Sequence, residues 1–145
     1  MRALSAALVF AVLAPVCTQA AAKPDSATIE SSGTVDTVGY RMTVWSNGKL
    51  TVREANVSQS VNVGAAAAQK FLEDTRAAQR SHGRALTPCE KNAPFSSQLF
   101  VSYHGWRSSD LHCPTTGALA LLYADVRVMT ATLQAQQLSS PIPHS

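Results

Sequence analysis

The densest group of side chains with chemical potential lies between residues 103 and 113, in the segment YHGWRSSDLHC. It contains His104, Asp110, His112 and two serines, which are the residue types that a hydrolase uses as base, orienting acid and nucleophile. The segment has no G-x-S-x-G nucleophile elbow and no glycine-rich oxyanion loop. We therefore expect turn and strand-edge residues beside a disulfide here. A small hydrolase centred on the two histidines and Asp110 stays as an alternative.

The same segment, together with an upstream cysteine, also contains the ligand types of a zinc site. Such a site would use Cys89, His104, His112 and Cys113. Their spacing matches no common zinc motif, and the adjacent His112 and Cys113 would have difficulty reaching one ion together. The sequence also lacks a phosphate loop, a dinucleotide fingerprint and a calcium loop. We predict neither a metal nor another cofactor, and we assign no catalytic residue.

Two tryptophans stand beside predicted hairpin turns, and each has a basic neighbour. Trp45 is close to Lys49, and Trp106 precedes Arg107. Exposed aromatic rings beside cations suit a protein partner or a sugar ring. The opposing interpretation is that one or both rings fold back over the sheet edge as minor packing. The candidate binding residues are Trp45, Lys49, Arg53, His104, Trp106 and Arg107.

The first 22 residues have the order of a secretory signal peptide. Arg2 precedes an uncharged apolar stretch, and small residues follow up to Ala22. The apolar stretch is shorter than the roughly 20 residues that span a bilayer. We predict cleavage near Ala20 or Ala22 and a secreted or periplasmic protein with no membrane span in its mature form. An alternative makes Cys17 a lipidated N-terminus, but Val16 fits poorly where lipoprotein signals carry small residues.

Removal of the signal leaves Cys89 and Cys113 as the remaining cysteines. A pair of cysteines in an exported chain is typical of a disulfide, so we predict that these two are joined. The formal net charge of the full sequence is +3. The basic residues are spread along the chain without a Lys/Arg run, so we expect no nucleic-acid partner.

The strictest alternation of apolar and polar residues lies between residues 38 and 45, and it predicts a strand. Asn47-Gly48 predicts a turn, and residues 49–55 predict the returning strand. A two-residue turn would divide the apolar side chains between both faces of the hairpin. A three-residue loop with Gly48 in the left-handed region gives one apolar face, so we prefer it.

That register pairs Leu50 with Val44 and Val52 with Met42. The outward face then carries two further pairs of neighbours: Trp45 beside Lys49, and Arg41 beside Arg53.

The remaining chain repeats this order. Residues 63–80 predict an amphipathic helix with Asn62 as its N-cap. A second hairpin follows, with strands at 97–103 and 106–110 and a His104-Gly105 turn. A long helix then extends from Pro114 to about residue 137, and its buried stripe is Leu119, Leu122, Val126, Met129 and Leu133.

The order hairpin, helix, hairpin, helix predicts an α+β fold. We expect a four-stranded, mainly antiparallel sheet in ββα-ββα order, with two helices packed on one face and one disulfide. Residues 1–22 are assigned to the signal peptide, and 23–35 to an extended N-terminal arm with at most a short strand around 28–30. Residues 36–138 form a single domain, and 139–145 form a flexible polar tail.

These features favour a non-enzymatic binding or inhibitor-like module of the bacterial cell envelope or extracellular space. It would bind an exported or envelope protein through the open sheet face and the two hairpin tips. The alternatives are the small hydrolase described above and a structural envelope protein without a discrete site. A concave pocket that enclosed both histidines would favour the hydrolase.

Overall fold

The computed structural model describes residues 23–81, 97–113 and 116–139, which form a six-stranded antiparallel sheet and two helices. The strands are β1 (Ser26–Gly33), β2 (Val38–Trp45), β3 (Lys49–Glu54), β4 (Val57–Asn62), β5 (Leu99–Tyr103) and β6 (Trp106–Arg107). The helices are α1 (Ala65–Arg80) and α2 (Ala118–Ser139). The strands lie side by side in the order β4-β3-β2-β1-β5-β6. No helix in these ranges is both long enough and apolar enough to cross a membrane.

The α+β class is confirmed, but the four-stranded sheet in ββα-ββα order is wrong. The segment that we expected to be an N-terminal arm forms β1, which pairs with β2 on one side and β5 on the other. The residues between the first hairpin and α1 form β4, which pairs with β3. Both strands have few large apolar residues. β1 buries only Ala27 and Ile29 among its apolar side chains, and β4 has no fully buried apolar side chain. Their alternation was therefore too weak to predict β4, or more than a short strand around residues 28–30 in the β1 segment.

Three predicted features lie wholly or partly outside the described residues: the signal peptide (1–22), the polar tail beyond residue 139, and the disulfide, since Cys89 is not described. Cys113 is the one cysteine in the part of the chain that the structure describes, and its predicted partner Cys89 lies outside that part. Its side chain is buried.

The register predicted for the first hairpin is confirmed. Val44 lies opposite Leu50, and Met42 lies opposite Val52. The loop has three residues, and Gly48 adopts φ +89° in the left-handed region. Its N–H donates to the carbonyl oxygen of Trp45 over 2.9 Å. The single apolar face selects this register, because a slip by one residue would move every side chain to the other face.

The second hairpin is closed by His104 and Gly105, which both have positive φ angles, +45° and +79°. Two consecutive positive φ values are the requirement of a type I′ turn, whose twist suits a two-residue hairpin. Tyr103 therefore lies opposite Trp106. The returning strand is much shorter than predicted, since β6 ends at Arg107.

Both helices pack against one face of the sheet and share a single core with it. The predicted stripe of α2 is confirmed, since all five of its residues are buried. The start of α1 differs from the prediction, because Gly64 and not Asn62 is the N-cap. The side-chain oxygen of Asn62 instead accepts a hydrogen bond from the Gly64 N–H over 2.8 Å.

The two hairpin tips lie at the same end of the sheet. Ser26, the first residue of β1, lies opposite Trp45 at the end of β2. On the other side of β1, Thr28 lies opposite Ser102, two residues before His104. The beginning of β1 therefore separates the two turns.

Candidate functional site

The sheet face opposite the helices carries three rows of side chains that cross the strands. The row nearest the hairpin tips contains Trp45, Lys49 and Ser26. The middle row consists mainly of hydroxyl groups, from Ser60, Thr51, Thr43, Thr28 and Ser102. The third row contains Ser58, Arg53, Arg41, Glu30 and Phe100. Charge is therefore concentrated at the end of this face that is farthest from the tips.

The third row and Arg107 form a concave site that we call the arginine basin. Its members are Glu30, Arg41, Arg53, Phe100 and Arg107, and they line a cavity of about 580 Å³. An Arg41 Nη2 lies 2.6 Å from Glu30 Oε1, and Arg107 Nη2 lies 3.4 Å from Glu30 Oε2. The Arg107 guanidinium also stacks over the Phe100 ring, 4.0 Å from its centroid. Glu30 and Phe100 thus fix two of the three guanidinium groups.

The arginine basin has an excess of positive charge. Arg41 and Arg53 face each other across β2 and β3, as predicted from the sequence. Within the described residues Arg53 forms no ion pair, so Glu30 is the carboxylate that balances three guanidinium groups. Guanidinium groups present a planar fork of donors that matches carboxylate and phosphate oxygens. The basin is therefore suited to bind an anionic group.

A second polar cluster lies at the tip end of the sheet, between β1, α1 and the second turn. We call it the Asp25 cluster, and its members are Asp25, Arg76, Tyr103 and His104. Arg76 Nη2 lies 2.6 Å from Asp25 Oδ2, and the Tyr103 hydroxyl donates to the same oxygen over 2.8 Å. His104 Nε2 lies 3.0 Å from Asp25 Oδ1. One carboxylate therefore ties the start of β1 to α1 and to the second hairpin tip.

These contacts control the ionisation of Asp25. Burial alone would raise the pKa of this carboxyl, but hydrogen bonds from His104, Tyr103, Arg76 and the Ser26 N–H outweigh it and lower the pKa to about 2. Hydrogen bonds to the charged form of a carboxyl favour ionisation. Asp25 is accordingly an anchor that stays charged near neutral pH.

A third polar cluster joins the two helices. Lys70 Nζ of α1 lies 2.7 Å from Asp74 Oδ2 and 2.7 Å from Asp125 Oδ1 of α2. Burial and the neighbouring Asp74 raise the pKa of Asp125, although Lys70 acts in the opposite direction. The second oxygen of Asp125 is buried without a hydrogen-bond partner among the described residues. This cluster lies between packed helices, so we interpret it as an interhelical contact.

The residues of the alternative hydrolase site do not converge. His104 lies at the turn after β5, whereas His112 contacts Ser97 just before β5, with Nδ1 3.0 Å from the Ser97 carbonyl oxygen. The five-residue strand β5 lies between them, and it extends over about 17 Å at 3.3 Å per residue. Asp110 accepts hydrogen bonds from the backbone N–H groups of Leu99 and His112. It therefore holds backbone at the β5 start and does not orient His104.

No group of three or more His, Cys, Asp or Glu side chains suited to a metal ion occurs in the ranges that the structure describes. The candidate zinc ligand Cys89 lies outside those ranges.

The six predicted binding residues fall into two places. Arg53 and Arg107 belong to the arginine basin, whereas Trp45, Lys49, His104 and Trp106 lie at the tip end. Trp45 is on the predicted outward face but is half-buried, and its Nε1 donates to Thr51 Oγ1 over 3.4 Å.

Sequence reasoning missed Glu30 and Asp25 as members of these sites. Both belong to the segment expected to be an arm, and their partners are distant in sequence. The signal that could have revealed Glu30 is its place in an alternating run, with Ala27 and Ile29 on one face and Thr28 and Glu30 on the other.

No protein-family model matches the sequence, and a comparison with curated proteins gives no significant match.

Proposed function

We propose that the protein is a non-enzymatic binding module, and that the arginine basin binds an acidic segment of an exported or envelope protein. The observation that carries the proposal is the pair of like charges formed by Arg41 and Arg53 at a concave, exposed surface. Like charges directly opposite each other on neighbouring strands destabilise a sheet. An anionic partner would remove this cost when it binds.

The arrangement of the arginine basin supports recognition of a carboxylate-bearing partner. The ion pair with Glu30 holds Arg41, and the Phe100 ring holds Arg107, so little side-chain freedom is lost when a partner binds. Arg53 offers donors that no described carboxylate occupies. The cavity volume of about 580 Å³ falls within the roughly 300–1,000 Å³ of ordinary ligand sites.

Binding is proposed instead of catalysis because of the chemistry of the guanidinium group. Arginine stays protonated at all physiological pH values, so it donates hydrogen bonds but does not act as a general base. The location of the partner follows from residues 1–22, whose order predicts export.

The proposal is tested by titrating the isotope-labelled protein with two peptides that differ only in charge. One peptide alternates Glu with Ser, and the other carries Gln in place of each Glu. We expect the Glu peptide alone to shift backbone amide resonances, and to shift mainly those of the third row. Equal binding of both peptides, or shifts confined to the helices, would overturn the proposal.

Arg53→Glu supplies the matched variant. It should weaken binding of the Glu peptide at least about tenfold, because loss of a charge-assisted hydrogen bond costs roughly 1.5–3 kcal/mol. Arg127→Glu, on the exposed surface of α2, changes the net charge equally and should retain wild-type affinity. Equal loss in both variants would show that only net charge matters and that the basin is not the site.

A further inference from the structure

The two edges of the sheet differ in a way that points to a partner. β6 is a two-residue edge strand, whereas β4 extends over six residues with the sequence VSQSVN. Natural edge strands are protected from pairing by short length, charge, proline or bulges. β4 carries no charged residue and no proline, and its Val57 is 68 % exposed. This edge therefore lacks the features that prevent strand addition.

The backbone groups of β4 that face away from the sheet belong to Ser58, Ser60 and Asn62, and the Asn62 carbonyl oxygen accepts a hydrogen bond from Gln136 Nε2 of α2 over 2.9 Å. Ala55 and Asn56 form a two-residue turn, and Glu54 lies opposite Val57. Since hydrogen-bonded and non-hydrogen-bonded pairs alternate along antiparallel strands, the N–H and C=O groups of Ser58 and Ser60 point outward. Within the described ranges no hydrogen bond reaches these two residues from outside the sheet.

We propose that β4 pairs antiparallel with β4 of a second copy of this chain, so that one sheet continues through both copies. The register places Gln59 opposite Gln59 of the second copy, on the two-fold axis. Ser58 and Ser60 then exchange backbone hydrogen bonds with Ser60 and Ser58 of the other copy. An isologous contact of this kind uses the same surface on both subunits and closes after two copies.

The side chains of β4 favour a second copy of this chain as the partner that pairs with this edge. In this register the exposed Val57 lies opposite the half-buried Val61 of the second copy, on the helix-bearing side of the sheet. In any antiparallel register that keeps the helices of both copies on the same side of the continuous sheet, odd-numbered residues of one β4 must lie opposite odd-numbered residues of the other. The strand has no charge to repel its copy, although the chain as a whole is positive.

A shallow cavity beside β4 also supports pairing with a second copy. It has a volume of about 340 Å³ and lies on the helix-bearing side, lined by Val38, Val52, Val57 and Gln59 among others. A second copy would cover the exposed Val57 methyl groups at the rim of this cavity. Burial of apolar surface adds to the backbone hydrogen bonds of the new ladder.

The first experiment measures the oligomeric state by sedimentation equilibrium over a range of concentrations. The wild type should pass from monomer to dimer, and Ser60→Ala should do the same. Ser60→Pro removes an outward N–H, which an edge strand tolerates, so it should stay folded and monomeric. A wild type that is monomeric at every concentration, or a Ser60→Pro variant that still dimerises, would overturn the proposal. A monomeric wild type would indicate that a strand of another protein pairs with this edge.

The second experiment fixes the register and does not depend on the proline variant. Gln59 is the self-opposed residue, and Cα atoms of a non-hydrogen-bonded pair lie about 4.5 Å apart, which a disulfide can join. Gln59→Cys should therefore give a cross-linked dimer on mild oxidation, with a 59–59 linkage in peptide mapping. Ser58→Cys and Ser60→Cys report registers shifted by two residues and should cross-link poorly. Preferential cross-linking of either serine variant, or of none of the three, contradicts the register.

Discussion

Arg41 and Arg53 lie directly opposite each other on β2 and β3, on the sheet face that the helices leave exposed. Glu30 on β1 pairs with Arg41 on the far side from Arg53, so Arg53 has no ion pair among the described residues to balance its charge. A sheet selected for stability alone would place a neutral or acidic residue at one of these positions. The pair therefore marks the part of the molecule where stability and the proposed binding conflict.

The first prediction follows from this conflict. Arg53→Glu converts a repulsive cross-strand pair into an attractive one, so it should raise the free energy of unfolding by about 0.2–1 kcal/mol while it weakens binding of the Glu peptide. Chemical denaturation at low salt measures the gain. This gain in unfolding free energy should shrink at high salt, because the side chains at positions 41 and 53 are exposed and salt screens their interaction. A loss of stability in Arg53→Glu would show that the repulsion is relieved in the folded protein.

The second prediction concerns the pH dependence of stability. The pKa of Asp25 is about 2 in the folded protein, below its ordinary value of 3.8. The folded state therefore gains stability from this group above about pH 4 and loses it as the pH falls towards 2. Asp25 is partly exposed, so we expect about 1 kcal/mol at neutral pH. Asp25→Asn should remove this acid-dependent part of the unfolding free energy, measured by urea titration between pH 2 and 6.

Asp36→Asn is the matched control for that experiment, because Asp36 lies in an exposed loop between β1 and β2. It should leave the pH profile of the wild type unchanged. An identical profile in Asp25→Asn and the wild type would remove the Asp25 cluster as the cause.

The third prediction compares the two hairpin turns. Gly48 and Gly105 both have positive φ angles, so alanine is strained at either position. A Cβ at Gly48 would also lie 2.7 Å from the backbone nitrogen of Ala65 in α1, whereas nothing lies within 4 Å at Gly105. We expect Gly105→Ala to cost about 1 kcal/mol and Gly48→Ala clearly more, by thermal unfolding. Equal costs would indicate that α1 moves freely away from the first turn.

The fourth prediction concerns the contribution of Trp45 to stability. Its ring lies on the exposed sheet face and is half-buried, whereas Phe71 of α1 is fully buried in the core. Phe71→Ala should cost about 3–5 kcal/mol, as large-to-small core substitutions do. Trp45→Ala should cost about 1 kcal/mol or less and leave the fold intact. Cooperative unfolding curves for both variants provide the comparison, and similar losses would place Trp45 in the core.

The sequence predicts those elements whose apolar side chains are numerous and regularly spaced. The first hairpin and the stripe of α2 belong to this class, because a wrong register or phase would expose several large apolar groups. β1 and β4 do not. The sheet buries β1 on both of its edges, but the pairing that does so is made by backbone groups, which leave no trace in side-chain periodicity.

The same distinction applies to the candidate sites. The neighbourhood of Arg41 and Arg53 follows from one local hairpin, so the sequence predicts it. The contact between Asp25 and His104 joins residues that are 79 positions apart and depends on β1 lying beside β5. Because β1 was expected to be an arm, neither the Asp25 cluster nor the role of Glu30 was predicted.

The central position of β1 has a consequence for how the chain folds. β2, β3 and β4 follow one another through short turns, and β5 and β6 form a second local hairpin. In the sheet of the described residues, β1 is the strand that joins these two groups. Thr28 finds its partner Ser102 after 74 further residues of chain. Closing so long a loop costs conformational entropy before any contact repays it, and topologies with such distant contacts fold slowly. Docking of β1 between the two hairpins is therefore the step that we expect to limit the folding rate, and a chain shortened at its N-terminus through Gly33 would leave two hairpin units with unpaired edges.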